Sequence, residues 1–228
     1  PSPAWLAPLL TRNMLICVFT GFSSGLPLYL LLNLVPAWLR TEGISLATIG
    51  LFSLMTLPYT WKFIWSPLMD RFAWPVLGRR RGWILLTQAA LLFSLPAFGW
   101  FNPTLDIWAI AYLAAAVAFF SASQDVVLDA FRREILLDVE LGLGNAIHVN
   151  AYRIASLIPG SLSLILADHL PWNSVFLITA LFMLPGVIMT LMVAEPDLVK
   201  SGPRTLRAAV VEPFREFINR QGWREALL

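Results

Sequence analysis

The stretch Ser66-Pro-Leu-Met-Asp70-Arg71, followed after six residues by Gly78-Arg79-Arg80-Arg81, places five charges in one short segment between two long apolar stretches. Cytoplasmic loops of membrane proteins carry an excess of Lys and Arg, so this pattern predicts a cytoplasmic connection between two membrane helices. The acidic side chain is expected to cap a helix end or to pair locally. We predict a gating loop that comprises Asp70, Arg71, Gly78, Arg79 and Arg80.

The composition excludes an ordinary soluble domain, because 58% of the 228 residues are hydrophobic, only 13% are charged, and the mean hydropathy is +0.71. A helix needs roughly 20 mostly apolar residues to cross about 30 Å of hydrocarbon. Six segments meet that requirement, at residues 13–38, 45–68, 82–101, 107–131, 145–167 and 172–193. The sequence therefore predicts an all-α integral membrane protein with a six-helix bundle.

The basic residues alternate along the chain between predicted connections. Arg12, the Arg-rich loop, Arg132 with Arg133, and the basic residues from Lys200 onward alternate with connections that contain only Arg40 or no Lys or Arg. This asymmetry predicts a multi-pass protein in the lipid bilayer with both ends of the chain in the cytoplasm.

The predicted bundle occupies residues 1–194, and the composition changes after it. Residues 195–223 are basic with apolar residues at roughly helical spacing, which favours an interfacial linker helix; a solvated linker is the alternative. Residues 224–228 resemble the first turn of a seventh, truncated membrane helix. We expect the bundle to be one half of a transporter whose C-terminal half is missing.

Four ionisable residues fall inside predicted spans, where charges are costly unless they are paired or hydrated. Measured from the charged cytoplasmic ends at about 1.5 Å per residue, Lys62 lies roughly 12 Å deep, Asp125 roughly 10 Å and Arg153 roughly 13 Å. This shared depth predicts a polar cluster in which Asp125 takes Arg153 or Lys62 as its partner. A permanent ion pair that fixes the helix register is the alternative.

Asp125 and Asp129 are four residues apart and therefore share one face of the fourth helix. Two carboxylates on one face repel each other unless a cation lies between them, which suits a group that exchanges a proton during transport. For the shallower Asp129, a role in bracing the Arg-rich loop is the favoured interpretation, and proton movement is the alternative.

The first helix carries a second polar face. Gly21 and Gly25 form a small-xxx-small pattern that lets another helix approach closely, and packing alone would explain them. Ser23 and Ser24 lie between them and could line a path for a sugar. In the fifth helix, Asn150 and Tyr152 are further candidates for lining the cavity.

Patterns of soluble enzymes are missing from the sequence. It contains no phosphate-binding Gly-rich loop with Lys, no His-Glu-x-x-His and, with Cys17 as its one cysteine, no cysteine cluster. We therefore expect no enzymatic activity, no cofactor, no metal and no nucleic-acid partner. A proton gradient is the expected driving force.

Four motifs carry a resemblance to a known family. The Arg-rich loop resembles that of the major facilitator superfamily, with Ser66 where Gly is usual. Together with Thr20-Gly-Phe-Ser-Ser-Gly-Leu-Pro27, Lys62-Phe-Ile-Trp-Ser-Pro-Leu-Met-Asp-Arg71 and Ala122-Ser-Gln-Asp-Val-Val-Leu-Asp-Ala130, it resembles the AmpG-type muropeptide permeases of Gram-negative bacteria. The likeness covers nearly the whole chain. It implies the N-terminal bundle of that fold, built from two inverted repeats of three helices.

The resemblance implies an inner-membrane protein that imports N-acetylglucosaminyl-1,6-anhydro-N-acetylmuramyl peptides, with protons as co-substrate, for peptidoglycan recycling and β-lactamase induction. The acidic motif of the family falls on Asp125 and Asp129, with Gln124 beside them as a hydrogen-bonding group. Lys62 and Arg153 are the expected partners of substrate carboxylates. The aromatic residues that could stack on sugar rings are Tyr29, Tyr59, Trp61 and Tyr152.

Two other functions remain open at this stage. A carrier of the same fold could take another sugar or an acyl-CoA, whose polyanion would need more basic groups in the cavity. A non-transporting membrane scaffold or sensor is the other alternative, and the intramembrane charges argue against it.

Overall fold

A computed structural model describes residues 11–72 and 77–195, together with Arg215 and Asn219, and every element in the two ranges is helical. Five helices are long and apolar enough to cross a membrane. They are α1 (Arg12–Thr41), α3 (Arg80–Trp100), α4 (Ile107–Ile135), α5 (Leu141–Ala167) and α6 (Trp172–Met192). The label α2 is given to the run of short helical pieces over residues 46–71. The predicted all-α membrane fold is confirmed.

The α2 run differs from the single span predicted at residues 45–68. It consists of the pieces Leu46–Leu51, Phe52–Thr56, Leu57–Trp61, Lys62–Ile64 and Ser66–Arg71, of which the second and fourth are 3₁₀-helical. Pro58 and Pro67 lie in the first turns of the two following α-helical pieces. A proline lacks the N–H that would continue the preceding helix, so each break precedes a proline. The count of six spans therefore stays a prediction.

The largest apolar cluster lies at the end of the bundle opposite the Arg-rich loop. Trp38 of α1, Phe98 of α3 and Phe176 of α6 are buried there. The ring of Phe176 has its centroid 5.1 Å from that of Trp38 and 5.5 Å from that of Phe98. These offset and edge-to-face contacts fix the three helices at that end. A smaller cluster, around Ile16, Ile84 and Phe131, fills the end nearer the loop.

Two π-helical segments interrupt the regular helices. Leu30–Leu34 in α1 and Ile158–Leu162 in α5 each hold a widened turn, and the two segments contact each other. Proline follows closely or lies within each segment, at Pro36 and Pro159. The missing proline N–H accounts for the local widening.

The predicted linker at 195–223 and the predicted seventh-helix start at 224–228 lie outside the described residues, apart from Glu195, Arg215 and Asn219. Arg215 and Asn219 are helical and exposed. The bundle boundary at 194 and the two inverted repeats stay predictions.

Candidate functional site

The carboxylate of Asp125 is half-buried in α4 and is held by a neutral donor from α1. Oδ1 of Asp125 accepts a hydrogen bond from the hydroxyl of Ser24, which is 1% exposed. Within the described residues, neither Lys62 nor Arg153 comes within ion-pair distance of it. Asp125 is therefore held by Ser24 and by neither of the two cations that were predicted as its partner.

Asp125 opens on a cavity of about 320 Å³ between α1, α4 and α5. Residues three or four apart on a helix share a face, which explains why two short runs, one on α4 and one on α5, supply most of the lining. The lining residues are Tyr29, Asp125, Asp129, Arg132, His148, Val149, Tyr152 and Arg153.

The second carboxylate of the cavity is already paired. Asp129 accepts a hydrogen bond from Nη2 of Arg132 at 2.8 Å, one turn along α4. The side chain of Asp129 is 54% exposed and that of Arg132 is 15% exposed, so the pair lies at the cavity rim with its cation turned inward. Arg153 also lines the cavity, is exposed, and has no ion-pair partner among the described residues. The cavity thus joins two carboxylates with two guanidinium groups.

The other predicted polar residues lie outside this cavity. Gln124 and Ser23 are fully buried behind it, where Nε2 of Gln124 donates to Oγ of Ser23 at 3.4 Å. Lys62 is half-buried in a 3₁₀ turn of α2, Tyr59 is half-buried against the apolar cluster, and Asn150 is exposed and donates to the carbonyl of Ala146. The structure therefore brings Ser24, Asp125, Asp129, Tyr152 and Arg153 together.

The predicted glycines lie where α1 meets α5. A Cβ atom at Gly21 would lie 2.5 Å from the carbonyl oxygen of His148, and one at Gly25 would lie 3.0 Å from the carbonyl carbon of Tyr152. The two backbones therefore touch directly at these positions. This contact sets the distance between α1 and the cavity-lining face of α5.

Ion pairs with two other elements hold the Arg-rich loop, and Asp129, which was predicted to brace it, instead pairs with Arg132. Arg80 lies 2.5 Å from Asp70 at the end of α2 and 2.6 Å from Glu134 of α4, and Arg79 lies 3.0 Å from Glu134. Gly78 has a φ of +82°, a left-handed conformation that glycine adopts without strain. Arg71 instead is exposed, with its guanidinium carbon 5.8 Å from the centroid of the Phe72 ring.

Sequence reasoning missed three participants. Glu134 and Glu195 both bind the Arg-rich loop, and Arg132 lines the cavity, although the sequence indicated only a topological role for it. Three consecutive arginines at a helix start imply nearby acids, but their positions in the sequence do not say which acids. The spacing of Arg132 from Asp129 on α4 could have placed it on the face of the two carboxylates.

Comparison with known proteins places the chain in a family. Residues 17–228 match the sequence model of the Major Facilitator Superfamily. The chain is 45% identical over 206 residues to the anhydromuropeptide permease of Escherichia coli (strain K12), an alignment that covers 90% of this chain and 42% of the permease. It is 51% identical over 221 residues to an uncharacterized protein of Haemophilus influenzae, covering 96% of this chain and 52% of that protein.

The chain thus spans about half the length of the curated relatives it matches. These similarities confirm the resemblance that the sequence motifs indicated.

Proposed function

The chain belongs to the Major Facilitator Superfamily, and from this premise we propose that the protein is a proton-coupled importer of N-acetylglucosaminyl-1,6-anhydro-N-acetylmuramyl peptides. The name of the Escherichia coli relative, anhydromuropeptide permease, supports this substrate class. The proposed cellular location is the bacterial inner membrane, with the chain ends on the cytoplasmic side. Import there would serve peptidoglycan recycling and β-lactamase induction.

The observation that carries the coupling is the setting of Asp125. Its carboxylate lies within a membrane-spanning helix, opens on the cavity, and is held by the Ser24 hydroxyl, with no cation from residues 11–72 or 77–195 in ion-pair distance. A carboxylate held by a neutral donor can take up a proton without breaking an ion pair. The same hydroxyl can then accept a hydrogen bond from the protonated acid, because a serine oxygen both donates and accepts.

Asp129 is less suited to that role. Its ion pair with Arg132 would have to break before it took up a proton, and its side chain is more than half exposed. We assign Asp129 to holding Arg132 at the cavity and Asp125 to carrying the proton.

The test is uptake of a labelled anhydromuropeptide into proteoliposomes that hold the protein expressed from its complete gene. An inward proton gradient should drive uptake by the wild type. Asp125→Asn preserves the side-chain size but cannot exchange a proton, so gradient-driven uptake should fall by about a hundredfold or more, because a positioned proton-transfer group contributes roughly 10²–10⁴-fold.

Asp168→Asn is the matched control, because Asp168 is exposed just after α5 and lies outside the cavity. It should transport like the wild type. Gradient-driven uptake that persists in Asp125→Asn would refute Asp125 as the coupling residue, and a folded wild type that does not take up the peptide would refute the substrate.

A further inference from the structure

Two side chains that line the cavity each have a buried nitrogen atom without a hydrogen-bond partner among the described residues. These atoms are Nη1 of Arg132 and Nδ1 of His148. Arg132 uses its other terminal nitrogen, Nη2, for Asp129, and His148 is only 6% exposed. Buried nitrogen atoms without partners are unfavourable, and an oxygen atom of a ligand that reached them would supply the missing partner.

The charge around these atoms favours an anion. Nη1 of Arg132 only donates hydrogen bonds. The guanidinium of Arg153, which has no ion-pair partner in the part of the chain that the structure describes, lines the same cavity from α5. Asp129 offsets part of the charge of Arg132, but it binds Nη2, so the donor capacity of Nη1 stays free. A guanidinium group binds a carboxylate through charge-assisted hydrogen bonds, which are roughly twice as strong as neutral ones.

We propose that Arg132 and His148, with Arg153 opposite, form a subsite for a carboxylate of the transported glycopeptide. The assignment rests on the function proposed above and names the part of the substrate that this bundle binds. Nη1 of Arg132 donates to one carboxylate oxygen, and Nδ1 of His148 donates to the carboxylate in the tautomer that carries its proton there. Tyr29 and Tyr152, whose rings meet edge to face with centroids 5.7 Å apart, form the neighbouring wall.

The size of the cavity agrees with a subsite rather than a complete binding site. About 320 Å³ is at the lower end of the roughly 300–1,000 Å³ that ligand pockets occupy. This volume holds an acidic group and its neighbouring atoms, and the remaining sugar and peptide would extend out of the cavity past Arg153.

Asp125 lines the same cavity, so a substrate carboxylate would meet a second negative charge unless Asp125 is protonated. The substrate should therefore bind better when Asp125 is neutral. Binding linkage is reciprocal, so proton and substrate would favour each other's binding, as symport requires.

The carboxylate could be the lactyl group of the free disaccharide or a carboxyl group of the stem peptide, and two pairs of probes separate these sources. The first pair is N-acetylglucosaminyl-1,6-anhydro-N-acetylmuramic acid and its N-methylamide. The second is the disaccharide tripeptide and the same compound with its peptide carboxyl groups amidated. Binding is measured by calorimetry on the protein expressed from its complete gene and placed in nanodiscs.

The wild type should bind the acid of one pair about tenfold or more tightly than its neutral partner, as expected for hydrogen bonds to a charged group. Arg132→Gln should reduce that ratio to near one. Arg133→Gln removes the same charge one residue away, where the side chain is 62% exposed and pairs with Asp138, and should keep the wild-type ratio.

Arg132→Gln also removes the partner of Asp129, so a second variant, His148→Leu, tests the subsite without breaking that ion pair. His148→Leu should lower the affinity ratio of acid to neutral probe. His148→Gln keeps an N–H donor and should have a ratio between those of His148→Leu and the wild type. The source of the carboxylate is identified by the pair of probes whose affinity ratio falls in the variants. Ratios that are unchanged in both pairs, with all probes still bound, would overturn the carboxylate subsite and leave the proposed function standing. A folded wild type that binds none of the probes would overturn both.

Discussion

Gly25 controls how closely α1 approaches the cavity-lining face of α5. A Cβ atom there would lie 3.0 Å from the carbonyl carbon and 3.1 Å from the Cα of Tyr152, and backbone atoms cannot rotate away as a side chain can. Gly25→Ala should therefore lower the free energy of unfolding by about 1–3 kcal/mol, the usual cost of overpacking. The measurement is the Tm of the detergent-solubilised protein.

Gly50→Ala is the matched control, because no atom lies within 4 Å of a Cβ built at Gly50 in the first piece of α2. Alanine favours a helix over glycine by roughly 0.5–1 kcal/mol, so the Tm of this variant should stay the same or rise. Equal Tm values for Gly25→Ala and the wild type would contradict the direct backbone contact.

Predictions about single residues were confirmed where they depended only on positions within one helix. The spacing of Asp125 and Asp129 indicated a shared face, and both line one cavity. Counting residues estimated the depth of Lys62 and Arg153, but depth does not give the direction in which a side chain points around its helix. That direction depends on how α1, α2 and α5 are rotated against α4, which is why Ser24, and not either cation, holds Asp125.

The ends of α3 and α6 that lie at the Arg-rich loop cap each other. The carboxylate of Glu195 accepts hydrogen bonds from the backbone N–H groups of Arg80, at 2.7 Å, and Arg81, at 2.9 Å, where α3 begins. In return, the guanidinium of Arg81 donates to the carbonyls of Thr190 and Leu191 at the end of α6. An anion at a helix N-terminus and a cation at a C-terminus both stabilise the free backbone groups and the helix dipole.

Glu195→Ala removes the N-terminal half of this arrangement and should destabilise the protein by about 0.5–2 kcal/mol, as the loss of a helix cap does. The measurement is the Tm at low and at high salt, and the difference from the wild type should shrink as salt screens the dipole contribution. Glu42→Ala is the control, because Glu42 is exposed and directly follows the C-terminal end of α1, at the end of the bundle away from the Arg-rich loop. A Tm for Glu195→Ala equal to that of the control would refute the capping role.

Hydropathy predicted the bounds of α1 and of α3 to α6 within a few residues, but it did not predict that α2 is broken into short pieces. The prolines at 58 and 67 were visible in the sequence, yet a proline inside a membrane helix produces a kink, a π turn or a 3₁₀ turn according to its packing. In α1, where Pro36 is surrounded by buried residues, the result is a π segment. In α2, whose side chains at Leu54, Trp61 and Phe63 are exposed, the result is a series of short pieces.

Across the whole molecule, the two ends of the bundle are held by different interactions. The aromatic contacts of Trp38, Phe98 and Phe176 fix one end, and the ion pairs around Arg80 fix the other. The cavity lies in α1, α4 and α5, closer to the charged end, since Arg132 lies near the end of α4. The cavity therefore lies nearer the end of the bundle that ion pairs hold than the end that aromatic packing holds.

The orientation of the bundle in the membrane follows from the same asymmetry and can be tested with two cysteines that flank α4. Leu105, 80% exposed, lies in a connection without Lys or Arg, and Val139, 90% exposed, follows Arg132 and Arg133. The positive-inside tendency predicts that Leu105→Cys reacts with a membrane-impermeant maleimide in intact spheroplasts, and that Val139→Cys reacts only after permeabilisation. Cys17 is 1% exposed and should give little background. The reverse labelling pattern would place the Arg-rich loop, and with it the cavity end of the bundle, on the periplasmic side and contradict the proposed orientation.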